Sequence, residues 1–191
     1  MSRQLVSVIL AVSVAMNVWL ARQVGEQALR LSAMVARPAL AAGDALPDVT
    51  LLDQAGGRVR VSYGAAGMPT ILYLLSPTCG WCNKNVEAVE ELVRQTSGRY
   101  RAIGIALGDE AQLAKYPVKY SFPVYHGLGD ADARAYKVRS TPATIVVSPA
   151  GVVTHIWNGA FVGDTKSNVE TTLAVRLPVV DTSDPNPKKS R

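Results

Sequence analysis

The chain has only two cysteines, two histidines and two phenylalanines in 191 residues. Two cysteines cannot build the disulfide framework of a small secreted scaffold, and a domain of this length does not need one. A structural zinc site takes four ligands. Beyond the cysteines only His126 and His155 are on offer, 29 residues apart and without metal-type spacing. No metal and no cofactor are expected. Basic residues give a formal charge of +5 but are scattered, apart from Lys188, Lys189 and Arg191 at the end. They form no stripe interleaved with aromatics, which argues against nucleic acid as a partner. No internal repeat is visible. With 18% charged and 48% apolar residues, the composition is that of a packed domain rather than a disordered chain.

Charge is missing altogether between Leu5 and Ala21, with Arg3 before the run and Arg22 after it. As helix, these residues would span about 25 Å, at the short end for a hydrocarbon core of about 30 Å. Snorkelling arginines and an interfacial Trp19 suit the two ends. A retained signal-anchor, a cleaved signal and a buried core helix compete. The run has no polar face, which argues against a core helix. No good small-x-small cleavage site follows it, since Ala39-Leu-Ala41 lies too far downstream. The anchor is therefore the preferred reading for residues 1–24, with 25–45 as a juxtamembrane linker broken by Pro38. A domain facing the periplasm or outside from the inner membrane, held by a single pass, follows from the usual behaviour of N-terminal signals. That compartment also permits disulfides.

The next stretch, from Leu46 to Asp53, is expected to be a strand, a turn at Gln54–Gly57 leading to a hairpin partner in Arg58–Val61. Pro69–Leu75 is a continuous apolar run bounded by turn residues, the pattern of a buried central strand. A helix follows to about Thr96, with Val86, Val89, Leu92 and Val93 at helical spacing. Arg101–Leu107 is the next buried strand, and Asp109 caps a helix to about Tyr116. A short strand at Phe122–Tyr125 and a helix from Asp130 to about Tyr136 come next. Ala143–Val147 and Val152–Trp157 form a second hairpin, and Asp164 caps a final helix to about Arg176. Residues 178–191, rich in Asp, Ser, Pro, Asn and Lys, are expected to be a disordered tail. Strands alternating with helices, then a hairpin and a helix, describe a mixed α/β sheet with helices on both faces.

The two cysteines fall three apart, in Cys79-Gly-Trp-Cys82. They sit where the central strand hands over to a helix. Free N–H groups at that helix start stabilise a thiolate, which makes Cys79 the expected nucleophile. Cys82, one turn later, is placed to resolve the mixed disulfide. Trp81 adds a flat apolar surface beside the sulfur. A purely structural disulfide here would close a tiny loop and add little stability.

The segments Leu46-Pro-Asp-Val-Thr-Leu51, Cys79-Gly-Trp-Cys82, Phe122-Pro-Val124, Ala135–Thr144 and Pro149-Ala-Gly151 together resemble the TlpA-like/ResA-like family. These are membrane-anchored, extracytoplasmic thioredoxin-fold proteins, and the resemblance covers about 43–177. It implies a thioredoxin-like domain over 46–177, with an N-terminal hairpin and a central strand-helix insertion. The 63 residues from Cys79 to Pro142 leave room for that insertion. It implies a cis-proline at Thr141-Pro142 opposite the cysteines, offering backbone hydrogen bonds to a bound peptide; on local sequence alone an ordinary trans proline opening a strand is the alternative. It further implies a thiol–disulfide oxidoreductase acting on disulfide-bearing proteins and re-reduced by a membrane electron donor. Cytochrome c and other metalloprotein precursors are such substrates in the family. The alternative is a maturation or binding factor, such as a methylamine-dehydrogenase-type accessory protein or a metal chaperone, holding a partner without redox turnover. Pro77-Thr78-Cys79 lacks the proline–threonine–cysteine spacing of peroxiredoxins. Two positions depart from the family pattern: Asn85 stands where a glutamate is common, and Tyr73 where thioredoxins have an aspartate. The usual buried carboxylate beneath the dithiol is thus missing, and the proton-relay argument for the family's reductive direction does not carry over to these residues.

Overall fold

The computed structural model describes residues 12–27, 39–109, 112–113 and 120–183. They belong to two compact units, Met1–Pro38 and Ala39–Arg191. In the first, residues 12–27 form helix α1, which runs past Arg22. Val12, Val14, Met16, Val18, Trp19, Leu20 and Val24 are all exposed. Among the described residues no helix is long and apolar enough to cross a membrane. The start of the expected span, residues 5–11, lies outside them, as do 28–38 of the expected linker.

The second unit opens on a hairpin, β1 (Val49–Leu52) and β2 (Arg58–Val61), paired Val49 to Val61. The strand begins three residues later than expected because the chain before it is committed elsewhere. Leu46 N–H donates to Gly151 O at 2.7 Å, and Ala45 bridges to Val152. The turn is built by Asp53, whose carboxylate accepts from Ala55 N–H (2.9 Å) and Gly57 N–H (2.7 Å). Gly56 supplies the left-handed φ of 81° that the turn requires.

The main sheet has five strands in the order β5-β4-β3-β6-β7. They are β3 (Thr70–Leu75), β4 (Arg101–Ala106), β5 (Val124–Tyr125), β6 (Ala143–Val147) and β7 (Val153–Asn158). β3 is central, parallel to β4 and antiparallel to β6, and all six of its residues are buried. Its uninterrupted apolar run follows from that position, because both faces are covered. Ile71, Tyr73 and Leu75 face a core shared with Ala88, Val89 and Leu92 of α3 (Val86–Thr96) and with Val169 and Leu173 of α5 (Gly163–Leu173). Leu72 and Leu74 face the other core, with the hairpin residues Val49, Leu51 and Val61, and with Tyr136 at the end of α4 (Asp130–Ala135). Asp109 caps the helical turn at 112–113 by accepting from Gln112 N–H at 2.8 Å. The rest of that expected helix lies outside the described residues.

Three further expectations are corrected. The helix after the cysteines is two: α2 (Gly80–Lys84) and α3, parted at Asn85. Asn85 is fully buried and turns its side chain to Phe161 and Tyr73. The last helix stops at Leu173, because Ala174 takes the left-handed conformation at φ 52°. The chain beyond it is not a loose tail at its start. Val175, Leu177 and Val180 are buried in the core, and residues through Ser183 are held by polar contacts. Polar, proline-rich composition suggested disorder over 178–191; Val180 within it joins the core that α3 and α5 share, and 184–191 lie outside the described residues.

Candidate active site

The site is assembled where β3 ends. Leu75 O accepts from Leu107 N–H at 2.8 Å, closing the ladder to the neighbouring strand. A tight turn follows, with Cys79 N–H donating to Ser76 O at 3.1 Å and the Ser76 and Thr78 hydroxyls 3.2 Å apart. Cys79 emerges in an extended conformation (φ −83°, ψ 103°) as the N-cap of α2. Its Sγ accepts from Cys82 N–H at 3.0 Å. One of the orphan donors of a helix start is thus spent on the sulfur itself. This is the local reason for sequence order: a strand, a proline-containing turn, then a cysteine with glycine behind it.

Cys79 and Cys82 form a disulfide, with Cα atoms 5.2 Å apart. The two sulfurs differ in access. Cys79 is half-buried, whereas Cys82 is completely buried within the α3-side core. Trp81, half-buried, lies in the same turn. The Thr141-Pro142 peptide bond is cis. Pro142 immediately precedes β6, whose Ala143 pairs with Leu74 of β3. The register therefore brings Thr141 and Pro142 to the end of β3 from which Cys79 departs. Pro142 is buried and Thr141 half-buried, and Pro142 O accepts from Gly159 N–H at 2.8 Å.

Tyr73 and Asn85, the two departures from the carboxylate pattern, meet. Asn85 Nδ2 donates to Tyr73 Oη at 3.3 Å, and Asn85 Oδ1 accepts from Phe161 N–H at 2.8 Å. The Tyr73 ring also packs edge-on against Tyr120, with centroids 5.7 Å apart. Sequence reasoning treated Asn85 only as a missing acid. A signal was there: positions 82, 85, 89 and 92 follow helical spacing, so Asn85 falls on the buried face with Cys82, Val89 and Leu92. A second group, Lys84 with Asp181 and Ser183, was not foreseen. Lys84 Nζ donates to Asp181 Oδ2 (2.7 Å), Ser183 O (2.8 Å) and Ser183 Oγ. Its partners lie 97 and 99 residues further along the chain, and no local pattern reveals them.

A mixed sheet, a cysteine pair where its central strand ends and a cis-proline heading the adjacent strand define the thioredoxin-like class. Residues 42–156 match the AhpC/TSA family, and the chain belongs to it. Among curated proteins it is 27% identical over 139 residues to methylamine utilization protein MauD of Methylorubrum extorquens, covering 70% of this chain and 67% of that one. Among solved structures it resembles the thioredoxin domain of a thiol-disulfide oxidoreductase from Bacteroides vulgatus. That likeness has a TM-score of 0.57 at 19% identity, over 71% of this chain and 99% of that one. A secreted disulfide oxidoreductase of Mycobacterium tuberculosis gives 0.51 at 20% identity, over 66% and 94%. These likenesses bear out the fold and the family resemblance read from the sequence. The cysteine pair on this fold has the makings of redox chemistry.

Proposed function

We propose that this protein is an extracytoplasmic thiol–disulfide oxidoreductase, held at the inner membrane by its N-terminal segment and acting as a reductant of protein disulfides. The observation that carries the reading is the asymmetry of the Cys79–Cys82 bridge: one sulfur is accessible and capped by an N–H group, the other is sealed. A nucleophile must reach its partner, and a resolving thiol must reach only the nucleophile.

The bridged form is first opened by a two-electron dithiol donor, placed by this reading in the membrane. The Cys79 thiolate then attacks one sulfur of a partner disulfide. The partner's S–S bond breaks, its other sulfur leaves as a thiol, and Cys79 is joined to the partner. Cys82 attacks the Cys79 sulfur, the Cys79–Cys82 bond re-forms and the partner's second thiol leaves. Two electrons and two protons pass from the dithiol to the partner. The backbone at Thr141-Pro142 is assigned the partner chain, by strand-like hydrogen bonding, and Trp81 an apolar contact with it. Precursors of cytochrome c or other metalloproteins are the substrate class this reading favours.

The likeness to a methylamine utilization protein supports a second reading, in which the chain holds a maturing partner without turnover. Reduction of insulin by the pre-reduced protein separates the two. The first reading expects activity in the unsubstituted chain and its loss in Cys79→Ser and Cys82→Ser. Equal, negligible rates in all three would sink it. In Cys82→Ser, Cys79 should accumulate a mixed disulfide whose partner can be identified. Capture by Cys82 in Cys79→Ser, with none by Cys79, would reverse the roles.

A further inference from the structure

We infer that Asn85 is a positioning residue that couples the dithiol helix to the cis-proline through the segment Gly159–Phe161. This rests on the oxidoreductase reading above and names what holds its two halves in register. The connection can be followed bond by bond. Asn85 closes α2, its N–H donating to Trp81 O at 3.0 Å, and opens α3, its carbonyl accepting from Val89 N–H at 3.0 Å. Its side-chain oxygen receives Phe161 N–H at 2.8 Å. Two residues earlier, Gly159 N–H donates to Pro142 O at 2.8 Å. Each end of a three-residue segment is thus bonded to a different half of the site.

Nothing in that segment is slack. Ala160 and Phe161 are buried, and Gly159 holds a φ of 94° that side-chain-bearing residues rarely adopt. Two peptide units reach at most about 7 Å, so the segment is a short spacer of nearly fixed length. The Asn85 amide is buried too, and its NH2 group is held by Tyr73 Oη at 3.3 Å. A partner chain that must bond the Thr141-Pro142 backbone and meet the Cys79 sulfur at once depends on the distance between them. A small disulfide that needs only the sulfur does not.

The test uses the pre-reduced full chain and two probes, a cystine-containing peptide and 5,5′-dithiobis(2-nitrobenzoate). Asn85→Ala is expected to lose about tenfold or more in kcat/KM for the peptide, mainly through KM, because misplacing bound groups is costly. Its rate with the small disulfide should fall by less than about threefold. Asn85→Asp keeps an acceptor for Phe161 N–H in either protonation state, so it should recover most of the peptide KM that Asn85→Ala loses. Amide hydrogen exchange reads the coupling without catalysis. In the unsubstituted chain the Gly159 and Phe161 amides should exchange through one opening of common free energy and denaturant slope. In Asn85→Ala both should exchange faster, while amides of β6 keep their protection. Equal losses with both probes, or a Gly159 amide indifferent to Asn85→Ala, overturn the inference. So do unequal openings of the two amides in the unsubstituted chain, a result that stands even if Asn85→Ala does not fold. An unsubstituted chain inert to both probes overturns the oxidoreductase reading instead, and the exchange data still decide the coupling.

Discussion

Tyr136 spends its hydroxyl hydrogen on Pro47 O, 3.0 Å away, and its oxygen lies 2.7 Å from the Tyr63 hydroxyl, which must then donate to it. Both rings are buried. Burial first, and the neighbouring phenol second, push the Tyr136 hydroxyl well above its ordinary value of 10.0; burial likewise raises Tyr63. Tyr136→Phe leaves the Pro47 carbonyl without this donor and should cost about 1–3 kcal/mol. The check is a lower urea midpoint at unchanged slope, with insulin reduction intact. The pH dependence has a definite sign. Above pH 10.0 the unfolded chain sheds the Tyr136 proton while the folded chain keeps it, so stability falls as pH rises. Tyr136→Phe should lose part of that fall. This pair, 73 residues apart, had no trace in local sequence. The cysteine pair did, because its chemistry demands close spacing.

Among elements, α2 is the one that carries the site, and it is fastened at its far end. Lys84 reaches across to Asp181 and Ser183, while Val180 is buried beside them. Val180→Ala removes two methyl groups from the core, at about 0.8 kcal/mol each, so about 1.5 kcal/mol of stability should go. Limited proteolysis after residue 177 should accelerate with it; unchanged cleavage and midpoint would show the segment to be unattached. The hydrogen bond from Lys84, and next those from Ser183, hold the Asp181 carboxyl far below the ordinary carboxylate range. A lowered folded value means that this contact is complete at neutral pH and is lost only as pH falls through that low value. Asp181→Asn should therefore lower stability slightly at neutral pH, leave the strong-acid end little changed, and so flatten the acid limb between them. Composition pointed to disorder here because proline and polar residues dominate; burial of a single valine and the hydrogen bonds of one ammonium group decided otherwise.

For the whole molecule, the separation between Pro38 and Ala39 predicts that a chain beginning at Ala39 folds alone and keeps its thiol chemistry. Its thermal midpoint and insulin reduction should match those of the full chain. The exposed apolar side chains of α1 need a covering that the second unit does not have to supply in order to fold. On the anchoring proposal, the full chain should sediment with membranes, resist carbonate and be released by detergent, whereas the chain from Ala39 should stay soluble. A full chain recovered in the soluble fraction would remove the anchor and the membrane donor from the proposal.

Strand and helix order was legible along the chain because apolar periodicity is imposed by burial on one face or two. The run Thr70–Leu75 announced the central strand, and Ala143–Val147 its antiparallel neighbour. Cys79 and Cys82 were legible because their chemistry depends on residue type and short spacing, whereas the role of Thr141-Pro142 came through the family resemblance. What lies under and around them was not. Asn85 could be a lost acid or a bridge, and only the approach of Phe161 and Tyr73 made it a bridge. The pairing of Pro142 with Gly159, and of Lys84 with Asp181, also depends on distant segments meeting. The sequence by itself determined the elements and the reactive pair; tertiary packing alone decided which buried polar groups hold them in place, because a hydrogen bond is chosen by proximity in space and leaves no period in the chain.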